Sequence, residues 1–191
     1  MAKVRATSQV YQLKIVLEDI RPPIWRRIQT PDCDLCQLHR IIQSAMGWDA
    51  YHLWEFEIGN ERFGPTEDEL GMDSFEMDES QDAGSVRLSD LVKAGYKKFR
   101  YVYDFGDGWR HTLTLEKVEE AEVKLRHPRC IKGKRACPPE DCGGPWGYGN
   151  LLQAISDPQH PEHQELIEWI GGSFDPEACD LDQINTLLKR A

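Results

Sequence analysis

The stretch YDFGDGWRH, Tyr103 to His111, decides how the middle of the chain folds. Before it, Tyr101, Tyr103 and Phe105 occupy odd positions; after it, Trp109, His111, Leu113 and Leu115 do the same. Residues opposed across an antiparallel pair share a sheet face, so the apolar sets match only across a turn with an odd number of residues. A two-residue Asp-Gly turn would oppose Phe105 to Arg110 and mix the faces. A three-residue loop, Gly106-Asp107-Gly108, opposes Phe105 to Trp109, Asp104 to Arg110 and Tyr103 to His111. Gly108 then takes the left-handed conformation that such hairpins want. This reading gives two antiparallel strands with an outer-face Asp104–Arg110 ion pair. It leaves Asp107 and His111 as the groups free for chemistry.

The flanking sequence extends the same pattern. Tyr11, Leu13, Ile15 and Leu17 alternate as one face of a strand, and after the break at Arg21-Pro22-Pro23 a second strand, Ile24 to Gln29, pairs back. Asp34 caps a helix, with Gln37 as its capping-box partner, and Leu35, Leu38, Ile41, Ile42, Ala45 and Met46 recur at helical spacing until Gly47. His52, Trp54, Phe56 and Ile58 alternate again, which places His52 on an apolar strand face. A short helix, Leu88 to Ala94, ends at Gly95 and leads into the strand Lys98 to Phe105. From Pro145 the pattern is helical: one helix opens at Pro145, another at Pro161, and the last, capped by Asp180, runs from Leu181 to Arg190. The fold class is therefore α+β, a mostly antiparallel sheet packed with helices, plus a C-terminal helical portion. One domain is expected: a sheet core over 10–122 with an acidic insertion at 65–85, a basic and cysteine-rich loop over 123–144, and helices over 145–191.

Charge is segregated along the chain. The net charge is −10, and Glu67 to Asp82 holds eight acids and no base. Between Val123 and Pro139 the sign reverses, with Lys124, Arg126, Arg129, Lys132, Lys134 and Arg135 and no acid. A whole-surface affinity for nucleic acid is excluded by the net charge, whereas a local one through the basic run of 124–135 is not. No stretch approaches the roughly 18 consecutive apolar residues of a membrane helix. The N-terminus has no apolar run after its basic residues, so a cytoplasmic location is expected.

The six cysteines then read as thiols or metal ligands. Cys130, Cys137 and Cys142, with His52 or His111, have the makings of a zinc site if the fold converges them, and Glu140, Asp141 or Asp107 would serve as a nearby acid. In the same loop Lys132, Lys134 and Arg135, with the backbone of Gly143 and Gly144 at a helix start, are candidates for holding an anion. Cys33, Cys36 and His39 form a separate C-x-x-C-x-x-H array. Gly-x-Ser-x-Gly, the P-loop and His-Glu-x-x-His are all absent. Trp109 and Trp146 complete the motif residues.

Four ordered motifs now stand together: LHRIIQSAMGWDAYHLWEF (Leu38 to Phe56), YDFGDGWRH, CIKGKRACPPEDCGGPWGY (Cys130 to Tyr148) and DPQHPEHQELIEWIGGSFDP (Asp157 to Pro176). Over Tyr11 to Leu188 the chain resembles the plasmid pRiA4b ORF-3-like family, whose members carry transposon-passenger or resolvase-like labels. The resemblance implies an accessory role around mobile elements. A serine recombinase would need a nucleophilic serine within an arginine cluster, and the chain has neither in recognisable form. The expectation is a non-catalytic binding protein contacting nucleic acid, a phosphate ligand or a protein partner. The alternative is a zinc-centred protein or metal-dependent hydrolase.

Overall fold

The computed structural model describes residues 8–66 and 80–191. In chain order these form β1 (Ser8–Leu17), β2 (Trp25–Thr30), α1 (Leu35–Met46), β3 (Trp54–Ile58), β4 (Glu61–Gly64) and β5 (Gln81–Asp82). A single 3-10 turn and α2 (Leu88–Lys93) precede β6 (Lys98–Tyr103), β7 (Trp109–Ala121) and β8 (Arg129–Lys134). The chain ends in α3 (Gly144–Ser156), α4 (His163–Trp169) and α5 (Leu181–Leu188). The strands make one eight-stranded sheet in the order β5-β4-β3-β6-β7-β1-β2-β8, antiparallel throughout except for β4–β5. The architecture is the expected α+β one.

Alternation sets the faces. Tyr11, Leu13, Ile15 and Leu17 of β1, Phe99, Tyr101 and Tyr103 of β6, and Trp109, His111 and Leu113 of β7 are all buried on one side. Helix α1 joins the same cluster through Leu35, Leu38, Ile41, Ile42 and Ala45. Its start is fixed by Asp34, whose carboxylate accepts the Gln37 N–H, and its end by Gly47 in the left-handed conformation. Helix α5 packs on α1 and on the edge strand β8. There Asn185 gives its amide to the Cys130 carbonyl and accepts the Cys130 N–H, at 3.0 and 2.8 Å, so a side chain takes the place of a ninth strand.

The central hairpin differs in length from the expected one. Tyr103 opposes Trp109, Val102 opposes Arg110 and Tyr101 opposes His111, so the loop is the five residues 104–108. Its parity is still odd, which is why the apolar faces match as predicted. Asp104 causes the lengthening. It adopts φ 55°, its Oδ1 accepts the N–H groups of Gly106 and Asp107, and its carbonyl takes the Gly108 N–H at 2.6 Å. This self-capped turn withdraws Asp104 and Phe105 from the strands. The predicted Asp104–Arg110 pair is therefore not formed.

Two further expectations change. His52 precedes β3 instead of lying on its apolar face. The expected acidic insertion falls mostly outside the described residues, but its end does not: Gln81–Asp82 pairs with β4, and Ala83 is fully buried. Residues 81–85 belong to the fold.

Candidate functional site

Three loops meet at one corner of the sheet: 48–53 between α1 and β3, 104–108 in the central hairpin, and 138–144 before α3. Trp48 ties them. Its ring stacks on Tyr103 (5.3 Å between centroids) and packs against Trp109 and His111, while its indole N–H donates to the Pro138 carbonyl at 2.9 Å. The corner is closed from the other side by glycine. The Gly143 N–H donates to the Asp107 carboxylate, and a Cβ on Gly144 would lie 2.3 Å from the Asp107 carbonyl oxygen. Only a residue without a side chain lets α3 begin this close to the hairpin.

Within this frame, His52 Nε2 sits 3.0 Å from Asp141 Oδ1 and 3.6 Å from Asp104 Oδ2. One donor atom from each of the three residues falls within 4.8 Å of the others, the one such group of His, Cys, Asp or Glu donors among the described residues. Both aspartates hold left-handed backbone, φ 55° at Asp104 and 57° at Asp141, a conformation that costs an ordinary side chain about 1 kcal/mol and that Asp tolerates better. Hydrogen bonds fix the surroundings. The Tyr51 hydroxyl donates to Asp141 Oδ2, the Tyr103 hydroxyl donates to Glu140, and the Asp49 N–H donates to Glu140 Oε2. The bond to Asp141 pushes the Tyr51 phenol up to about 12, and burial with the Glu140 bond pushes Tyr103 higher still. Both hydroxyls stay protonated donors. Asp49, Asp104, Asp107, Glu140 and Asp141 thus crowd one corner, and among the described residues no Lys or Arg pairs with any of them. His52 is half-buried and Asp141 exposed, so the cluster faces water.

The sequence-predicted ligands are distributed differently. His52 belongs to the cluster; His111 does not. His111 is fully buried against Trp48 and Tyr101, and burial outweighs the backbone of Tyr101 and Trp109 and lowers its pKa to about 4. Cys130 is a buried residue of β8 whose thiol donates to the Lys132 carbonyl. Cys137 contacts the Met46 sulfur at 3.1 Å and accepts from Arg26 at 3.3 Å. Cys142 adjoins Asp141, yet neither it nor the other two thiols enters the three-donor group. Burial holds all three thiols above their ordinary range, Cys137 at about 11 and Cys142 at about 12. The C-x-x-C-x-x-H array is core: Cys33 is buried and pushed up to about 12, and His39 stacks on Trp54 and bonds the Tyr101 hydroxyl.

The candidate anion set is also divided. The Gly143 N–H at the start of α3 is taken by the chain's own Asp107. Arg135 turns inward with φ 70° and pairs with Glu177. Lys132 and Lys134 point out from β8. Trp109 is buried, whereas Trp146 is 92% exposed on the first turn of α3. Sequence reasoning missed Asp104 as a cluster member and Trp48 as the residue that ties the loops. The signal for the second was present in the run Gly47-Trp48-Asp49-Ala50-Tyr51-His52, which places aromatic, acidic and imidazole groups directly after a helix stop.

Three of the four sequence motifs supply the loops that converge here, and the model of the plasmid pRiA4b ORF-3-like proteins matches residues 9–183. The chain belongs to that family. The uncharacterized protein y4hQ of Sinorhizobium fredii (strain NBRC 101917 / NGR234) is 39% identical to it over 181 residues, covering 93% of this chain and 90% of y4hQ. The crystal structure of MM3350 from Methanosarcina mazei Go1, described as a protein of unknown function, superposes with a TM-score of 0.81 at 37% identity. It covers 92% of this chain and 97% of MM3350. The family match thus extends over both the sheet and the corner, and the names of these relatives assign neither of them an activity. Among the described residues no helix is long and apolar enough to cross a membrane.

Proposed function

We propose that the chain is a metal-centred protein that holds a divalent cation between His52, Asp104 and Asp141. The observation that carries this reading is the convergence of an imidazole nitrogen and two carboxylates at a corner whose other acids, Asp49, Asp107 and Glu140, have no basic partner among the described residues. Like charges so close repel, and a cation held among them relieves the repulsion. One nitrogen and two oxygen ligands suit zinc, manganese or iron(II) over a soft thiophilic ion. Three protein ligands leave coordination positions open to water, the arrangement of a Lewis-acid or water-activating centre and not of a closed structural site. A metal-dependent hydrolase is the reaction class that such a centre serves. Its ligands differ from the thiolate set expected from spacing alone.

Thermal unfolding of EDTA-stripped protein titrated with Mn²⁺ or Zn²⁺ tests the reading. A cation at a hundred times its dissociation constant stabilises the fold by about 2.7 kcal/mol. The shift is expected in the natural chain and in Cys130→Ser and Cys142→Ser, and is expected to vanish in His52→Ala and Asp141→Asn. A shift that survives in His52→Ala, or none in the natural chain, sinks it.

A further inference from the structure

The sheet has a second face, which the helices do not cover, and its charge is opposite to that of the molecule. Alternation places Lys14 of β1, Trp25 and Arg27 of β2, and Arg129, Lys132 and Lys134 of β8 on that side. The register sets Lys14 opposite Arg27, Arg27 opposite Lys132, and Trp25 opposite Lys134. Side-chain contacts confirm the common face. Lys14 Nζ lies 5.2 Å and the Arg27 guanidinium 5.4 Å from the centre of the Trp25 ring. Arg129 donates to Gln29, Gln29 to Gln12, and Gln12 to Glu116, a chain of hydrogen bonds across four strands. On this half of the face Arg27 engages Glu116 at 2.6 and 2.7 Å, and Lys117 of β7 pairs with Glu119 at 2.7 Å. Lys14, Arg129, Lys132 and Lys134 form no ion pair with a described carboxylate. In a chain with 33 acids and 23 bases, such a surplus on one flat surface is a local reversal of sign.

We propose that this open face, along β8, β2 and β1, binds the phosphate backbone of single-stranded nucleic acid. Neighbouring strands are about 4.8 Å apart and alternate residues on one strand roughly 7 Å apart. The cations therefore form a lattice of closely spaced points, matched to a polymer with a negative charge on every residue. The half-buried Trp25 ring, with Lys14 and Arg27 over it, sets an aromatic group among the cations where a base can pack against it, and an acidic peptide has no base to place there. Apart from Trp25, large apolar side chains that would enter a lipid layer are missing from the central positions; Ile131, the exposed one on β8, sits at the bulge. This surface is distinct from the acidic corner, and its occupancy does not depend on a metal there. It also divides the basic run: Lys132 and Lys134 take part, and Arg135 does not.

The test is fluorescence anisotropy of a fluorescein-labelled twenty-nucleotide single strand with the full chain in EDTA, so that the corner plays no part. Saturable binding is expected, with log K falling against log salt at a slope of roughly −2 to −3, the release expected from three or four phosphate contacts. The double variant Lys132→Glu/Lys134→Glu is expected to lose affinity at least tenfold and to flatten the slope. Its melting temperature should be unchanged, because both side chains are exposed. Lys189→Glu, beyond α5, is expected to bind as the natural chain does. Absence of binding at low salt, or equal losses in both variants, overturns the proposal. Equal affinity for a duplex overturns the single-strand assignment, and displacement by polyglutamate at equal charge overturns the nucleic-acid assignment in favour of an acidic peptide.

Discussion

Asp104 holds a left-handed backbone, caps its own turn through Oδ1, and turns Oδ2 toward His52. These roles separate by substitution. Asp104→Asn keeps an oxygen for the Gly106 and Asp107 N–H groups but removes the charge, so metal-free stability in urea is expected to fall by no more than about 1 kcal/mol. Asp104→Ala removes the turn bonds as well and is expected to cost about 1–2 kcal/mol. Both are expected to lose the Mn²⁺-induced rise in melting temperature. If Asp104→Asn kept the full rise, the carboxylate would not be a ligand. None of this was legible from sequence, because polarity alternation assigns Asp104 to a strand. What removes it is a set of side-chain-to-backbone bonds that alternation does not register.

Strands and helices were legible wherever one periodicity acted alone. The β1 alternation, the Asp34 cap of α1 and the Asp180 cap of α5 lie where the sequence places them. The hairpin was read with the right parity and the wrong length, since parity is fixed by burial and length by the Asp104 turn. Helix α3 shows how closely an element depends on one position. Gly144→Ala would drive a Cβ to 2.3 Å from the Asp107 carbonyl oxygen at φ +67°, and backbone cannot yield there as a flexible side chain would. A loss of about 2–4 kcal/mol is expected, combining a forced backbone shift with left-handed strain. Gly149→Ala, later in the same helix with nothing within 4 Å, is expected to be neutral or stabilising by up to about 1 kcal/mol. Chemical denaturation of the pair checks this, and equal losses would mean that the close approach is not what selects glycine. At the other edge, Asn185→Ala strips the Cys130 N–H and carbonyl of their partners and is expected to cost roughly 1–3 kcal/mol.

The molecule as a whole was legible in its layers but not in its convergences: the core positions follow from pattern, whereas the meeting of Trp48, Asp104 and Asp141 requires three loops to be folded first. Burial of polar groups is a further property that pattern hides. His111 was a candidate metal ligand and His39 the last member of a C-x-x-C-x-x-H array, and both are neutral members of the core. Burial lowers their pKa values to about 3 and about 4, against 6.5 for an unperturbed imidazole. Between those values and pH 6.5 the unfolded chain binds protons at these sites and the native chain does not. Stability therefore rises with pH across that window, is complete above pH 6.5, and falls as the medium is acidified toward pH 4. The total is on the order of 3 kcal/mol for His111 and 5 kcal/mol for His39. His111→Phe keeps an aromatic ring against Trp48 and Tyr101 and removes the proton-binding group. Urea midpoints measured from pH 7.5 to 4.5 should fall less steeply for that variant than for the natural chain. An acid limb unchanged by His111→Phe would assign the acid sensitivity to carboxylates instead, and with it remove His111 from the groups that limit the fold's pH range.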